Sequence, residues 1–179
     1  LKLHMAYLAL GVFGLVAVVA LIYAQARSHK LLSKDWQSLV TSIEPMHMRG
    51  LEMVALDHLE PTKNQLRLEP DEIWGLVGGK EGLRRMEHNA DLMIALAAYV
   101  RNWNHDQAVV VAERIRHDSI QLKRAIRRIR WSMYMRRSQI RIPFYVHQAA
   151  ASYYLMTKRL LSLYETNQYL LYPVLAEAL

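Results

Sequence analysis

The sequence predicts an all-α protein in which a single N-terminal transmembrane helix is followed by a soluble α-helical bundle. Three observations support this fold class: an uncharged apolar run at residues 5–24, apolar residues spaced three and four apart through most of the remaining chain, and no strand-like alternation of apolar and polar residues. We expect residues 1–30 to form the anchor with its basic flank and residues 31–179 to form the bundle domain.

The apolar run at residues 5–24, MAYLALGVFGLVAVVALIYA, has twenty residues and no charge. A helix of that length spans about 30 Å, the thickness of the hydrocarbon core of a bilayer. Tyr7 and Tyr23 lie near its two ends, where aromatic rings favour the membrane interface. The length of the run disfavours a buried core helix. A cleaved signal peptide stays open, because Ala-Gln-Ala at residues 24–26 fits a cleavage site, although the apolar stretch exceeds the usual length of about 7–15 residues.

Basic residues are denser after the predicted span than before it. Arg27, Lys30 and Lys34 follow the span, whereas Lys2 alone precedes it. The positive-inside rule then places the large C-terminal domain in the cytoplasm, next to the plasma (inner) membrane, with the three following residues contacting anionic headgroups. One side of the span carries small residues that would let another helix pack closely, namely Ala6, Ala17, Ala20 and Ala24.

Short helices are predicted for the first part of the bundle domain. The helical spacing continues to about residue 43, where Pro45 ends it. A short helix is expected at residues 51–59, followed by a loop. Pro70 suits the first turn of another short helix, and Gly78 with the glycine after it suits its C-terminal stop.

Three long helices are then predicted at about residues 80–102, 107–136 and 144–165, and a further short helix begins near Pro173. Each of the first two carries an apolar stripe with 3,4 spacing, and Pro143 separates the second from the third. A turn of only four or five residues joins the first two, so we expect them to pack antiparallel, with the third completing the core.

The charge of the chain is unevenly distributed, although the formal total is only +7. Residues 35–113 carry thirteen acidic and seven basic groups, whereas residues 114–141 carry ten basic groups and one acidic group. Glu81, Glu87 and Asp91 lie on the helix expected to neighbour the basic one, and they can neutralise part of its charge. Because the two blocks do not balance, we expect a cationic surface to remain.

On a helix, the basic groups of residues 114–141 form the solvent face opposite the apolar seam, over about 45 Å. We predict that this face binds a partner or an anionic surface through Arg114, Arg116, Lys123, Arg124, Arg127, Arg128, Arg130, Arg136, Arg137 and Arg141. Trp131 and Tyr134 lie in the same stretch, and they either stack on nucleic-acid bases or are buried with the apolar seam.

No arrangement of residues in the sequence indicates catalysis. The chain has no cysteine, which excludes disulfides, zinc fingers, thiol catalysis and iron–sulfur clusters. Glu44 and His47 have the Glu-x-x-His spacing of di-iron bundles, but a proline lies between them and no second copy exists. Glu113 with His117 is more typical of a solvated helix face, and the Met-His-Met at residues 46–48 of core filling. We therefore predict no enzyme activity, no cofactor and no metal site.

The function predicted from these features is that of a non-enzymatic, single-pass accessory or scaffold subunit of a larger membrane protein complex. It would dock through the membrane span and the cationic helical face, and the tyrosine-rich last long helix fits a protein interface. The alternative is a membrane-anchored module that binds anionic lipid or nucleic acid through the basic helix. Nucleic acid is the less favoured partner because no known binding motif is present, and a homo-oligomer stays open.

Overall fold

The computed structural model describes residues 14–15, 18–19, 34–59, 68–101, 106–135, 142–167 and 170–179. The chain divides into two compact units, Leu1–Lys34 and Asp35–Leu179. In the first unit Gly14, Leu15, Val18 and Val19 are helical.

The other residues of the predicted span lie outside the described part of the chain, as do Ala6, Ala17, Ala20, Ala24, Arg27 and Lys30. None of the helices formed by the described residues is both long enough and apolar enough to cross a membrane. The transmembrane helix therefore stays a prediction from the sequence. Lys34, the last residue of the unit, is exposed.

The second unit is a helical bundle, which confirms the all-α class predicted for it. Its described helices are α1 (Trp36–Thr41), α2 (Met48–Leu59), α3 (Pro70–Val77), α4 (Gly79–Arg101), α5 (Asp106–Tyr134), α6 (Ile142–Asn167) and α7 (Tyr172–Ala178). No strand occurs among the residues described in this unit. The long helices α4, α5 and α6 differ by at most two residues at either end from the ranges expected of the 3,4 apolar spacing.

Local signals explain how α3 gives way to α4. Pro70 occupies the first turn of α3, and the backbone N–H of Glu69 donates to the carboxylate of Glu72 at 3.1 Å. Gly78 ends the helix with φ of 81°, a left-handed conformation that glycine adopts without steric cost. α4 then starts at once, and its Gly82 lies close against the carbonyl of Val77.

Ion pairs show that α5 runs antiparallel to α4. Arg130, near the end of α5, pairs with Glu87 at 2.7 Å, and Lys123, earlier in α5, pairs with Asp91, later in α4. Partners that advance along one helix while retreating along the other define an antiparallel pair, as the short connection predicts.

The third long helix, α6, runs antiparallel to α5 and parallel to α4. Arg159 pairs with Asp118, and the guanidinium of Arg128 lies 5.5 Å from the ring centre of Tyr145. One end of the bundle is therefore formed by residues 79–83, 130–135 and 142–145, and we refer to this end as the tip.

The shorter helices cover one side of the α4–α6 pair and α5 covers the other. α2, α3 and α7 pack against α6, whereas α1 packs against α4 and α7. α5 packs against α4 and α6. The helix through which the chain enters this unit, α1, thus belongs to the group that lies away from α5.

Two buried polar networks fix α1 and the loop after it to the long helices. The indole N–H of Trp36 donates to the hydroxyl of Tyr164, which donates to the carbonyl of Leu96, both at 3.0 Å. The side chain of Asn89 bonds both the N–H and the carbonyl of Glu44 and donates to the hydroxyl of Tyr153 at 3.0 Å.

Burial changes the pKa of the tyrosine hydroxyls in these two networks. Burial raises the pKa of Tyr153 to about 12, and it also raises the pKa of Tyr164. Both phenols therefore remain protonated, and each serves as a neutral structural group in the core.

Candidate functional site

The structure places most of the predicted cationic residues on the outer surface of α5. Arg114, Arg116, Arg124, Arg127, Arg128 and Arg130 are exposed, and Lys123 is partly buried. The remaining predicted residues, Arg136, Arg137 and Arg141, lie outside the described residues. The apolar seam of α5, which includes Ile115, Leu122, Ile126 and Ile129, is fully buried.

Three of these cations already interact within the bundle. Lys123 pairs with Asp91, Arg130 pairs with Glu87, and Arg128 lies over the ring of Tyr145. The acidic helix therefore neutralises part of α5, as its sequence indicates.

The third predicted acid has different partners. Glu81 bonds Arg84 and Arg85 of its own helix, and the bonds from these guanidinium groups lower the pKa of Glu81 to about 2. Glu81 therefore pairs within α4 and does not neutralise the basic residues of α5.

Four arginines of α5 make no ion pair with another described residue, namely Arg114, Arg116, Arg124 and Arg127. We call these four the cationic face. Burial, and then the charge of Arg114, lowers the pKa of the neighbouring Arg159, which is held by the buried carboxylate of Asp118. Four exposed guanidinium groups without an ion pair to a described acid can attract an anionic partner.

Exposed aromatic rings adjoin the cationic face at the tip. Trp131 is 64% exposed and Tyr134 is 82% exposed, with their ring centres 6.4 Å apart. Phe144, at the start of α6, is 56% exposed. Burial of Trp131 and Tyr134 with the apolar seam, one of the two readings left open by the sequence, is therefore wrong. The helical period turns both positions away from the buried seam of α5.

A cleft of about 340 Å³ opens at the tip between α4 and α5. Its lining combines two cations, Lys80 and Arg130, with Leu83, Met133 and Tyr134. The sequence contained no signal for this cleft, because residues of two helices that lie far apart along the chain form it together.

His58 and His147 form a pair at the same end of the bundle, and the sequence alone did not predict this pair. One ring nitrogen of His147 lies 2.9 Å from the carboxylate of Asp57 and the other lies 3.0 Å from the carbonyl of Pro143. The ring of His58 stacks on His147 with 6.0 Å between centres. Burial, and then the charge of His147, lowers the pKa of His58.

The described residues that the sequence offered as candidate metal ligands form other interactions. The carboxylate of Glu44 binds Arg84, with its closest contact at 2.6 Å, and His117 hydrogen-bonds Gln121 at 3.0 Å. Over the described residues, no group of three or more His, Asp or Glu side chains is placed to hold a metal ion.

The chain was compared with protein-family models, with curated proteins and with solved structures, and none of them matches it.

Proposed function

We propose that this chain is a non-enzymatic accessory subunit of a membrane protein complex. The predicted span would hold it in the membrane, with the bundle on the cytoplasmic side, and the cationic face of α5 would dock on an acidic surface of another subunit. The observation that carries this proposal is the set of exposed arginines on α5 that form no ion pair with a described acid.

The residue type that makes up this face favours a protein partner. Arginine is enriched at the centres of protein interfaces because its planar guanidinium group makes several directed hydrogen bonds.

Charge reversal within the face tests the proposal. Native membranes would be solubilised gently, and the material that migrates with the chain would be sized and identified by mass spectrometry. We expect a complex of defined stoichiometry, and we expect Arg127→Glu to reduce the recovered partner about tenfold, since an interface arginine of this kind is worth more than about 1 kcal/mol.

Arg49→Glu is the matched control, because Arg49 is an exposed arginine on α2, away from α5, and its reversal changes the net charge equally. The control should leave the complex intact. Recovery of a lone monomer or homodimer from the native chain would contradict the proposal, as would equal losses for the two reversals.

A second candidate function is binding of anionic lipid or nucleic acid through α5. The adjacent and exposed rings of Trp131 and Tyr134 favour it, since such rings insert at membrane interfaces and stack on bases. Sedimentation with phosphatidylglycerol vesicles and anisotropy with a single-stranded oligonucleotide separate these partners. Binding lost in both Arg127→Glu and Trp131→Ala, with no partner protein recovered, would support this candidate.

A further inference from the structure

The tip cleft combines positive charge with an apolar interior. Leu83 is almost fully buried at its base, and Met133 and Tyr134 line it from the last turns of α5. Lys80 and Arg130 also line it, from the first turn of α4 and from α5. A site of this composition suits an anion that carries an apolar group beside its charge.

The acids described near the cleft are already paired with arginines, which leaves the ammonium group of Lys80 available to an anion. Lys80 is exposed and forms no ion pair with another described residue. The carboxylate of Glu87 takes one amino group of Arg130, while that of Glu81 is held by Arg84 and Arg85. The sequence itself has no Asp or Glu at residues 119–164, which cover most of α5 and α6.

We propose that the tip cleft binds an acidic segment of the partner protein. A carboxylate of that segment pairs with Lys80 and the free amino groups of Arg130, and a neighbouring apolar side chain enters between Leu83, Met133 and Tyr134. This inference rests on the proposed function, because it names the chemistry of the segment that the docking subunit recognises.

The form of the cleft favours a protein segment as its occupant. A volume of about 340 Å³ is at the lower end of the range for ligand sites and suits one or two large side chains. Methionine adapts its shape to such a guest, and Trp, Tyr and Arg are the residue types that dominate the binding energy of protein interfaces. Tyr134 and Arg130 supply two of these types in the lining of the cleft, and Trp131 follows Arg130 on the same helix.

Continuity with the cationic face gives a second reason for a protein segment. The arginines of the cationic face continue along α5 to the tip, so a single partner can cover both.

Two labelled peptides test the inference by fluorescence anisotropy on the full chain in a neutral detergent. The first is a short peptide rich in Asp and Glu with a central Leu-Phe pair, and the second has Ser-Ser in place of that pair. We expect the first to bind about tenfold more tightly, because burial of one large apolar side chain is worth at least that factor.

Variants of the cleft locate the binding. Met133→Trp fills the cleft and should abolish the difference between the two peptides, while Lys80→Glu should weaken both. Tyr134→Ala removes one wall and should reduce the difference, and its high exposure ensures that the bundle still folds. Arg49→Glu is again the control and should leave both affinities unchanged.

Equal affinities for the two peptides in the native chain would overturn the inference. It would also be overturned if phosphatidylglycerol vesicles or an oligonucleotide bound more tightly than the first peptide and lost binding in Tyr134→Ala and Lys80→Glu. If Arg127→Glu disrupts the native complex while the tip variants leave it intact, the proposed function stands and this inference fails. If the tip binds the first peptide but no complex is recovered, the proposed function fails.

Discussion

The hydroxyl of Tyr164 is buried and uses both of its hydrogen-bonding capacities. It accepts from the indole of Trp36 and donates to the carbonyl of Leu96, so it joins the first helix of the bundle to two long helices. Removing a buried hydroxyl that both accepts and donates leaves each of its partners without that hydrogen bond, in a place where water cannot replace it.

We therefore expect Tyr164→Phe to lower the free energy of unfolding by about 2 kcal/mol, since it leaves the buried indole N–H of Trp36 unpaired. Urea unfolding followed by circular dichroism measures the change. Tyr134→Phe is the matched control, because that hydroxyl belongs to an exposed ring and its loss should alter stability by less than about 0.5 kcal/mol. Equal effects of the two substitutions would show that the network at Tyr164 carries no particular weight.

His58 makes the stability of the bundle depend on pH. Its pKa lies below the ordinary value of 6.5 because burial, and then the charge of His147, disfavour its protonated form. A histidine whose pKa is lowered by folding contributes stability that is present above the unfolded value and is lost as the pH falls through the folded value.

We expect the unfolding midpoint in urea to fall between about pH 8 and about pH 5, and His58→Gln to reduce that fall. The measurement is a set of urea unfolding curves across this range for both chains. Identical pH dependence of the two chains would contradict a role for His58, because the neutral amide has no proton to gain.

The same comparison of burial and partners distinguishes the basic residues of α5. Lys123 and Arg130 are individually indistinguishable from Arg124 and Arg127 in the sequence pattern, yet the first two have acidic partners on α4 and the second two do not. The rotation of α5 about its own axis determines this difference, and that rotation follows from the packing of its apolar seam.

At the scale of elements, the junction of α3 and α4 is a close approach that a substitution can probe. A β-carbon added at Gly82 would lie 1.8 Å from the carbonyl oxygen of Val77, whereas one added at Gly75 would meet nothing within 4 Å. Both glycines lie within helices, but only at Gly82 does the packing leave no room for a side chain.

We expect Gly82→Ala to destabilise the bundle by at least about 2 kcal/mol, because α3 and α4 must move apart to accommodate the methyl group. Gly75→Ala should instead stabilise it by about 0.5–1 kcal/mol, since alanine has the higher helix propensity and space is available. Thermal unfolding of both variants checks the pair. A neutral effect of Gly82→Ala would mean that the crossing is looser than the structure indicates.

At the scale of the whole molecule, the second unit, residues 35–179, has a buried core of its own. Its largest buried side chains, which include Leu51, Met86, Leu122 and Tyr153, come from four different helices of that unit. A unit that buries its own apolar surface is expected to fold without the rest of the chain.

We accordingly predict that a fragment of residues 35–179 is helical and unfolds in one cooperative transition. Circular dichroism during heating provides the measurement, and near-ultraviolet signals from the four tryptophans report on fixed packing. A helical fragment without a sigmoidal transition would show that residues 1–34 contribute to the stability of the bundle.

The all-α class and the positions of the long helices could be determined from the sequence alone. Apolar spacing, Pro70, Pro143 and the glycines at 78 and 79 are local signals, and helix formation depends on residues within one or two turns of each other. The concentration of positive charge at residues 114–141 is likewise a property of the chain itself.

Only the tertiary structure decided which of those charges are free, that Trp131 and Tyr134 are exposed, and that His58 meets His147. Tertiary packing also brings Lys80 and Tyr134 together in the lining of the cleft. Each of these features joins residues that are distant in sequence, and their meeting depends on how each helix is rotated and where it crosses its neighbours. Side-chain packing sets both quantities, and no local pattern in the sequence encodes them.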